Sequence, residues 1–240
     1  MKRHLKPRRL AAGVAVLLAA ALPLSAQTPI YSGHTDVGIA YNPVLNAWDL
    51  HVHDEENDME YEPDDALIVV GLDALTTVPA GPQWSFLGSP GSATWMLTST
   101  EVPTLPYLGL STEEIGPGVF TGDTLSFRLK AISGPGHFAL FDLDSFGDPI
   151  VLMNSGDGIT LADTVILPIG SHLHFNWAFS EAGDYTLTFE AFGTSALNGF
   201  TSSGDVNYLF RVDPIPEPST FALVSLGLAT LAMRRRKSRT

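Results

Sequence analysis

The stretch "EAGDYTLTFEAF", residues 181–192, decides the fold class. After a turn signal at Gly183-Asp184, Tyr185, Leu187 and Phe189 alternate with Thr186, Thr188 and Glu190. A period of two sends the apolar set to one side of a strand and the polar set to the other. The same pattern recurs downstream in "VNYLFRV". Upstream it recurs in "SHLHFNWAF", "DTVILPI", "HFALFDL", "TLSFRLKAI", "ALIVVGL", "NAWDLHVHD" and "HTDVGIAY", each bounded by Gly, Pro, Asp or Asn. No long helical period and no internal repeat interrupts the series. Short strands at this spacing predict an all-β domain over residues 28–213, a single antiparallel β-sandwich of jelly-roll or immunoglobulin-like type. Two stretches read as loops: the acidic run over residues 54–65, and the Gly- and Pro-rich region 78–118, where Trp84, Phe86 and Trp95 are expected to pack as a satellite cluster.

The two ends read as addresses. Residues 1–26 carry a basic head, an apolar run from Leu10 to Leu24, and small residues at Ser25 and Ala26. That is the pattern of a secretory signal peptide, and the run is shorter than the ~20 apolar residues of a spanning helix. Residues 214–240 place Pro216-Glu217-Pro218 before an apolar run from Phe221 to Met233 and a cluster at Arg234, Arg235, Arg236 and Lys237. A helix of that length holds a chain at a membrane only briefly, with its positive end cytoplasmic. The arrangement resembles the PEP-CTERM sorting signal of Gram-negative bacteria. The resemblance implies a short sorting helix, a transient inner-membrane anchor, processing by an exosortase-type enzyme, and delivery to the outer surface or the extracellular matrix.

Ten of the 13 Lys and Arg lie within these end segments, which leaves Arg128, Lys130 and Arg211 against 26 acidic residues. Such a surface repels nucleic acid and attracts cations. There is no cysteine, so the exported domain is held by its core, and any metal site must use nitrogen and oxygen donors.

The histidines supply such donors. His51 and His53 in "DLHVHDE" share a strand face with Asp49 and Glu55. His172 and His174 in "SHLHFNWAF" share one with Asn176, opposite an apolar wall of Leu173, Phe175, Trp177 and Phe179. His34 and Asp36 stand two apart in "HTD". Two His-x-His pairs plus His-x-Asp predict that four imidazoles, joined by His34 or Asp36, surround one divalent ion. Asn176, Asp49 or Glu55 would accept from the spare ring N–H groups. His137, after a tight turn in "SGPGHFALFD", is a weaker member of the set.

"GHTDVGIAYN", "WDLHVHDE", "GPGHFALF" and "SHLHFNWAFSEAGDYTLTFEA" resemble the choice-of-anchor M family of bacterial surface proteins and its Zur-repressed, PEP-CTERM-bearing relatives. The resemblance spans most of residues 31–212. It implies a role in zinc handling at the cell surface, with His34, Asp36, His51, His53, His172 and His174 implicated and a zinc ABC transporter as a partner. Imidazole and carboxylate accept copper and nickel as well as zinc, and only the resemblance favours zinc.

The remaining signals are weak. Asp142, Asp144 and Asp148 beside Gly147 lack the terminal Glu of a calcium loop and predict a turn. No nucleophile elbow, phosphate-binding Gly loop or H-E-x-x-H helix occurs. The expectation is therefore a non-enzymatic, exported zinc-capturing or zinc-buffering protein. The alternatives are a matrix or adhesion module that binds envelope polysaccharide through exposed Trp84 and Trp95, and a surface metallohydrolase with Asp54 or Glu55 as base.

Overall fold

A computed structural model describes residues 27–216. The signal peptide expected at 1–26, and the sorting helix and arginine cluster expected beyond Pro216, lie outside the described residues. Alternation in the sequence becomes strands in three sheets. The largest runs β1 (Thr28–Ile30), β5 (Ala66–Val70), β17 (Val206–Val212), β15 (Gly183–Ser195), β9 (Thr124–Ser133) and β12 (Thr164–Pro168), with β16 (Gly199–Ser202) paired to the end of β15. The second orders β11 (Pro149–Asn154), β10 (Phe138–Leu143), β14 (Asn176–Phe179), β7 (Ala93–Leu97) and β6 (Leu75–Thr77). The third orders β13 (His172–His174), β8 (Pro106–Ser111), β2 (Gly33–Asn42), β3 (Ala47–Asp54) and β4 (Met59–Tyr61).

One core joins all three sheets. Tyr185, Leu187 and Phe189 of β15 are buried as their alternation requires, and Trp177 of β14 packs between Phe189 and Phe210 from the large sheet. The third sheet turns Val37, Ile39, Leu50, Val52, Leu108 and Leu110 inward, which leaves its other face for polar side chains.

The expected architecture needs correction. The β-rich domain is there, but it is built from three sheets, and β1–β5, β5–β17 and β2–β8 pair in parallel. Alternation reports that one face of a strand is buried and is silent about the direction of its neighbour. Region 78–118, expected to be loop-like with few strands, contributes two. It holds β7 and β8, and β8 lies between β13 and β2. The acidic stretch 54–65 is largely a hairpin, with β4 returning along β3 after a turn closed by Asp54, which accepts from the Asn57 backbone and side-chain amides. Asp142–Asp148 is a turn, as expected, with Asp144 accepting from Phe146 and Asp148.

"SHLHFNWAF" is two strands, and the row of polar side chains ends at His174. The chain leaves the third sheet at Phe175 and enters the second at Asn176. Asn176 is buried and structural: its Oδ1 accepts from the Ser99 amide and its Nδ2 donates to the Phe141 carbonyl. That satisfies backbone groups where no ladder continues.

All three basic residues of the described domain sit on the large sheet. Arg128 and Lys130 both bind Glu190, and Arg211 binds Asp184. Burial pushes the Glu190 carboxyl up, but bonds from Ser202, Arg128 and Lys130 outweigh it and hold the pKa at about 2. The unfolded chain, titrating near 4.5, therefore binds more protons between the two values, and the stabilisation is complete above 4.5 and lost as pH falls toward 2. In chemical denaturation, Glu190→Gln is expected to cost about 1–2 kcal/mol at neutral pH, a figure reduced for solvent screening of the cations. The gap from wild type should close on acidification toward pH 2, and a constant gap would contradict this account.

Candidate metal centre

The outer face of the third sheet gathers the histidines. Register aligns His174, Gly109, Asp36, His53 and Glu60 in one row across five strands, and His172, Ser111, Gly38 and His51 in the next. The outward side chains of β13 and β2 therefore flank β8, which at the level of His174 and Asp36 offers only Gly109 between them. That glycine is required: a Cβ there would collide with Asp36 Oδ1 and lie 2.8 Å from His172 Nε2. The three-residue strand β13 is fixed at its start by buried Thr112, whose hydroxyl donates to the Pro168 carbonyl and accepts from the Ser171 amide.

Over the gap, His34, Asp36, His172 and His174 each bring one donor atom within 4.8 Å of the others. His34 Nε2 and His172 Nε2 are 3.0 Å apart, and Asp36 Oδ1 lies 2.8 Å from His172 Nε2 and 3.8 Å from His34 Nε2. Donors around a tetrahedral ion at ~2.0–2.1 Å stand about 3.3 Å from one another, so these separations bracket the required edge.

The satisfaction pattern points the same way. Asp36 is 1% exposed, and no backbone amide, hydroxyl, Lys or Arg of the described residues donates to either of its oxygens; its close polar contact is the His172 ring, 2.8 Å from Oδ1. Nδ1 of His174 is likewise buried. A buried carboxylate left unpaired costs several kcal/mol, and such a group is normally paired, protonated or bound to a metal. Burial raises the Asp36 pKa, opposed by the charges of His172 and His34. Burial also lowers the His174 pKa to about 4, helped by the neighbouring His172 and His34 and opposed by the Leu108 backbone. At neutral pH His174 is therefore the neutral imidazole that a metal requires.

Neighbours fix the rings. Tyr107 of β8 stacks on His174 with centroids 3.5 Å apart and planes 5° from parallel. Glu113 Oε2 lies 3.4 Å from His172 Nδ1, which favours the tautomer whose Nε2 faces the cluster. His34, with 36% of its side chain exposed, is the open side of the group.

The expected ligands divide. His34, Asp36, His172 and His174 converge. His51 and His53 do not join them, because β8 and β2 separate β13 from β3. His51 falls in a different group with Glu60 and Glu114, and His53 stands beside Glu55. His137 is exposed ahead of β10 in the second sheet, and only its backbone is engaged, by Ser180. Trp95 is buried in the main core and Trp84 packs on Phe141 in a satellite cluster with Phe86, so neither forms an exposed platform. Sequence reasoning missed Tyr107, Gly109 and Glu113; the one available signal was the Tyr-x-Gly in "PYLGLS".

The C-terminal segment matches a known family. Residues 214–237 fit the PEP-CTERM protein-sorting motif. That motif is the recognition signal for exosortase-type sorting enzymes and marks an exported protein sorted to the cell surface. The match speaks for delivery and does not reach the β domain. No curated protein and no solved structure matches the chain. Among the described residues no helix is long and apolar enough to cross a membrane.

Gly109→Ala tests the geometry. The added methyl should displace Asp36 or His172, lower stability by about 1–3 kcal/mol as overpacking does, and weaken divalent-ion binding at least about tenfold in a folded protein. Wild-type affinity in this variant would show that Asp36 and His172 do not both contact the ion.

Proposed function

We propose that this exported surface protein binds a divalent metal, zinc foremost, at His34, Asp36, His172 and His174. Its role would be to capture or buffer zinc outside the cell when the metal is scarce. The observation that carries the reading is the buried Asp36 carboxylate, whose only polar neighbours within reach among the described residues are the imidazoles that gather with it. Three nitrogens and one oxygen suit zinc at four-coordination, and copper and nickel accept the same donors. The preference for zinc rests on the resemblance to Zur-repressed surface proteins. Delivery to a zinc ABC transporter, and residence at the outer membrane rather than in the matrix, belong to the same proposal.

The role is binding rather than catalysis. Asp54 is occupied in closing the β3–β4 turn and Glu55 stands beside His53, so neither base considered for a hydrolase lies within the four-residue group. The acidic surface adds attraction. With every Lys and Arg of the described residues on the large sheet, none competes with a cation on the site sheet.

Zinc titration of the chain by calorimetry, against a chelator of known affinity, tests the proposal. A tight equivalent is expected at neutral pH. It should be lost in His172→Ala/His174→Ala, and it should weaken as pH falls and protons compete for the imidazoles. Equal binding by wild type and the double variant would overturn the assignment.

A further inference from the structure

The same sheet face carries another arrangement of donors that the four-residue group does not use. His51 of β3, Glu60 of β4 and Glu114, just beyond β8, each bring a donor atom within 4.8 Å of the others. Two exposed carboxylates alone would mean little. His51 is the independent observation: it is 5% exposed, and neither ring nitrogen has a hydrogen-bond partner. Its Nε2 lies 3.2 Å from Glu114 Oε1, and its Nδ1 is 3.9 Å from Asp49, too far for a hydrogen bond.

The backbone makes room for this ring as it does for Asp36. His51 leans over Gly38, the residue opposite it on β2, and a Cβ on Gly38 would overlap the imidazole. His51, Glu60 and Glu114 wall a cavity of about 270 Å³ that Asp36 and His53 also line. A buried imidazole that faces an acidic cavity, with no donor or acceptor of the core taking up either nitrogen, is the arrangement of a ligand rather than of a packed core residue.

We infer that His51, Glu60 and Glu114 form a second divalent-cation site beside the first. One nitrogen and two exposed carboxylates make it the weaker and more open of the two. It fills after the four-residue group and exchanges with solvent more readily. Because Asp36 borders both spaces, an ion held at His51 is next to the tighter site on the same face. The inference stands on His51 and its cavity, and does not require the first site to bind.

The test is zinc titration of the full chain over excess magnesium, which saturates diffuse binding to the acidic surface, with the histidine ring protons followed by NMR. Wild type should bind about two equivalents, the second at least about tenfold weaker, with the His51 ring shifting at the second step. Glu60→Gln/Glu114→Gln changes exposed side chains and should fold normally, keep the first step and lose the second. His172→Ala/His174→Ala should lose the first step and keep the step reported by His51, so failure of one site is distinguishable from failure of the other. A titration in which no step shifts the His51 ring, or a step at His51 that survives Glu60→Gln/Glu114→Gln, would overturn the inference.

Discussion

The burial of Asp36 is the constraint around which the site sheet is arranged. A carboxylate removed from water loses hydration worth many kcal/mol, and proteins recover it through hydrogen bonds, ion pairs or metal coordination. Here no backbone amide or hydroxyl donates to either oxygen, and no Lys or Arg of the described residues lies on that sheet. What surrounds Asp36 instead is imidazole: His172 and His34 within reach of Oδ1, and His174 completing the group. An ion that bridged carboxylate and imidazoles would offset the cost of that burial, and the proposed metal-binding function rests on that compensation.

The fold supplies the conditions in layers. Trp177, Phe189, Phe210 and their neighbours fix the second sheet against the large one. Aliphatic residues of β2, β3 and β8 seat the third sheet on the same core, so its outer face is rigidly registered. Parallel pairing of β2 with β8, and antiparallel pairing of β8 with β13, bring Asp36 and His174 to the same level with only Gly109 between them. Asn176 ends β13 cleanly, because its amide bonds to Ser99 and Phe141 draw the chain into another sheet. The domain spends its scarce cations on Glu190 and Asp184, which leaves the third sheet without a basic Lys or Arg side chain among the described residues.

Much of this was legible in the sequence, and the gaps have physical causes. The alternation in "DYTLTFEAF" and "HTDVGIAY" gave strands whose inward residues are those the pattern names. His34, Asp36, His172 and His174 were legible as shared-face pairs, because strand periodicity is local. Which pairs meet is not local. Nothing within "DLHVHDE" says that two strands separate it from "SHLHF". The placement of β8 depends on long-range pairing, which a Gly- and Pro-rich stretch conceals. The acidic run reads as solvated because of its charge, and residues 55–60 are exposed; what the charge does not tell is that Asp54 caps the turn and Glu60 returns beside His51. Gly38 and Gly109 carry no chemistry of their own and become visible only once a side chain is seen lying across them.

The central claim is that one ion sits among three imidazoles and the Asp36 carboxylate. Anomalous diffraction at the zinc absorption edge, from crystals grown with one equivalent of zinc, tests it most directly. The account predicts a dominant peak ~2.0–2.2 Å from nitrogens of His34, His172 and His174 and from an oxygen of Asp36. A dominant peak elsewhere, or none, would contradict it.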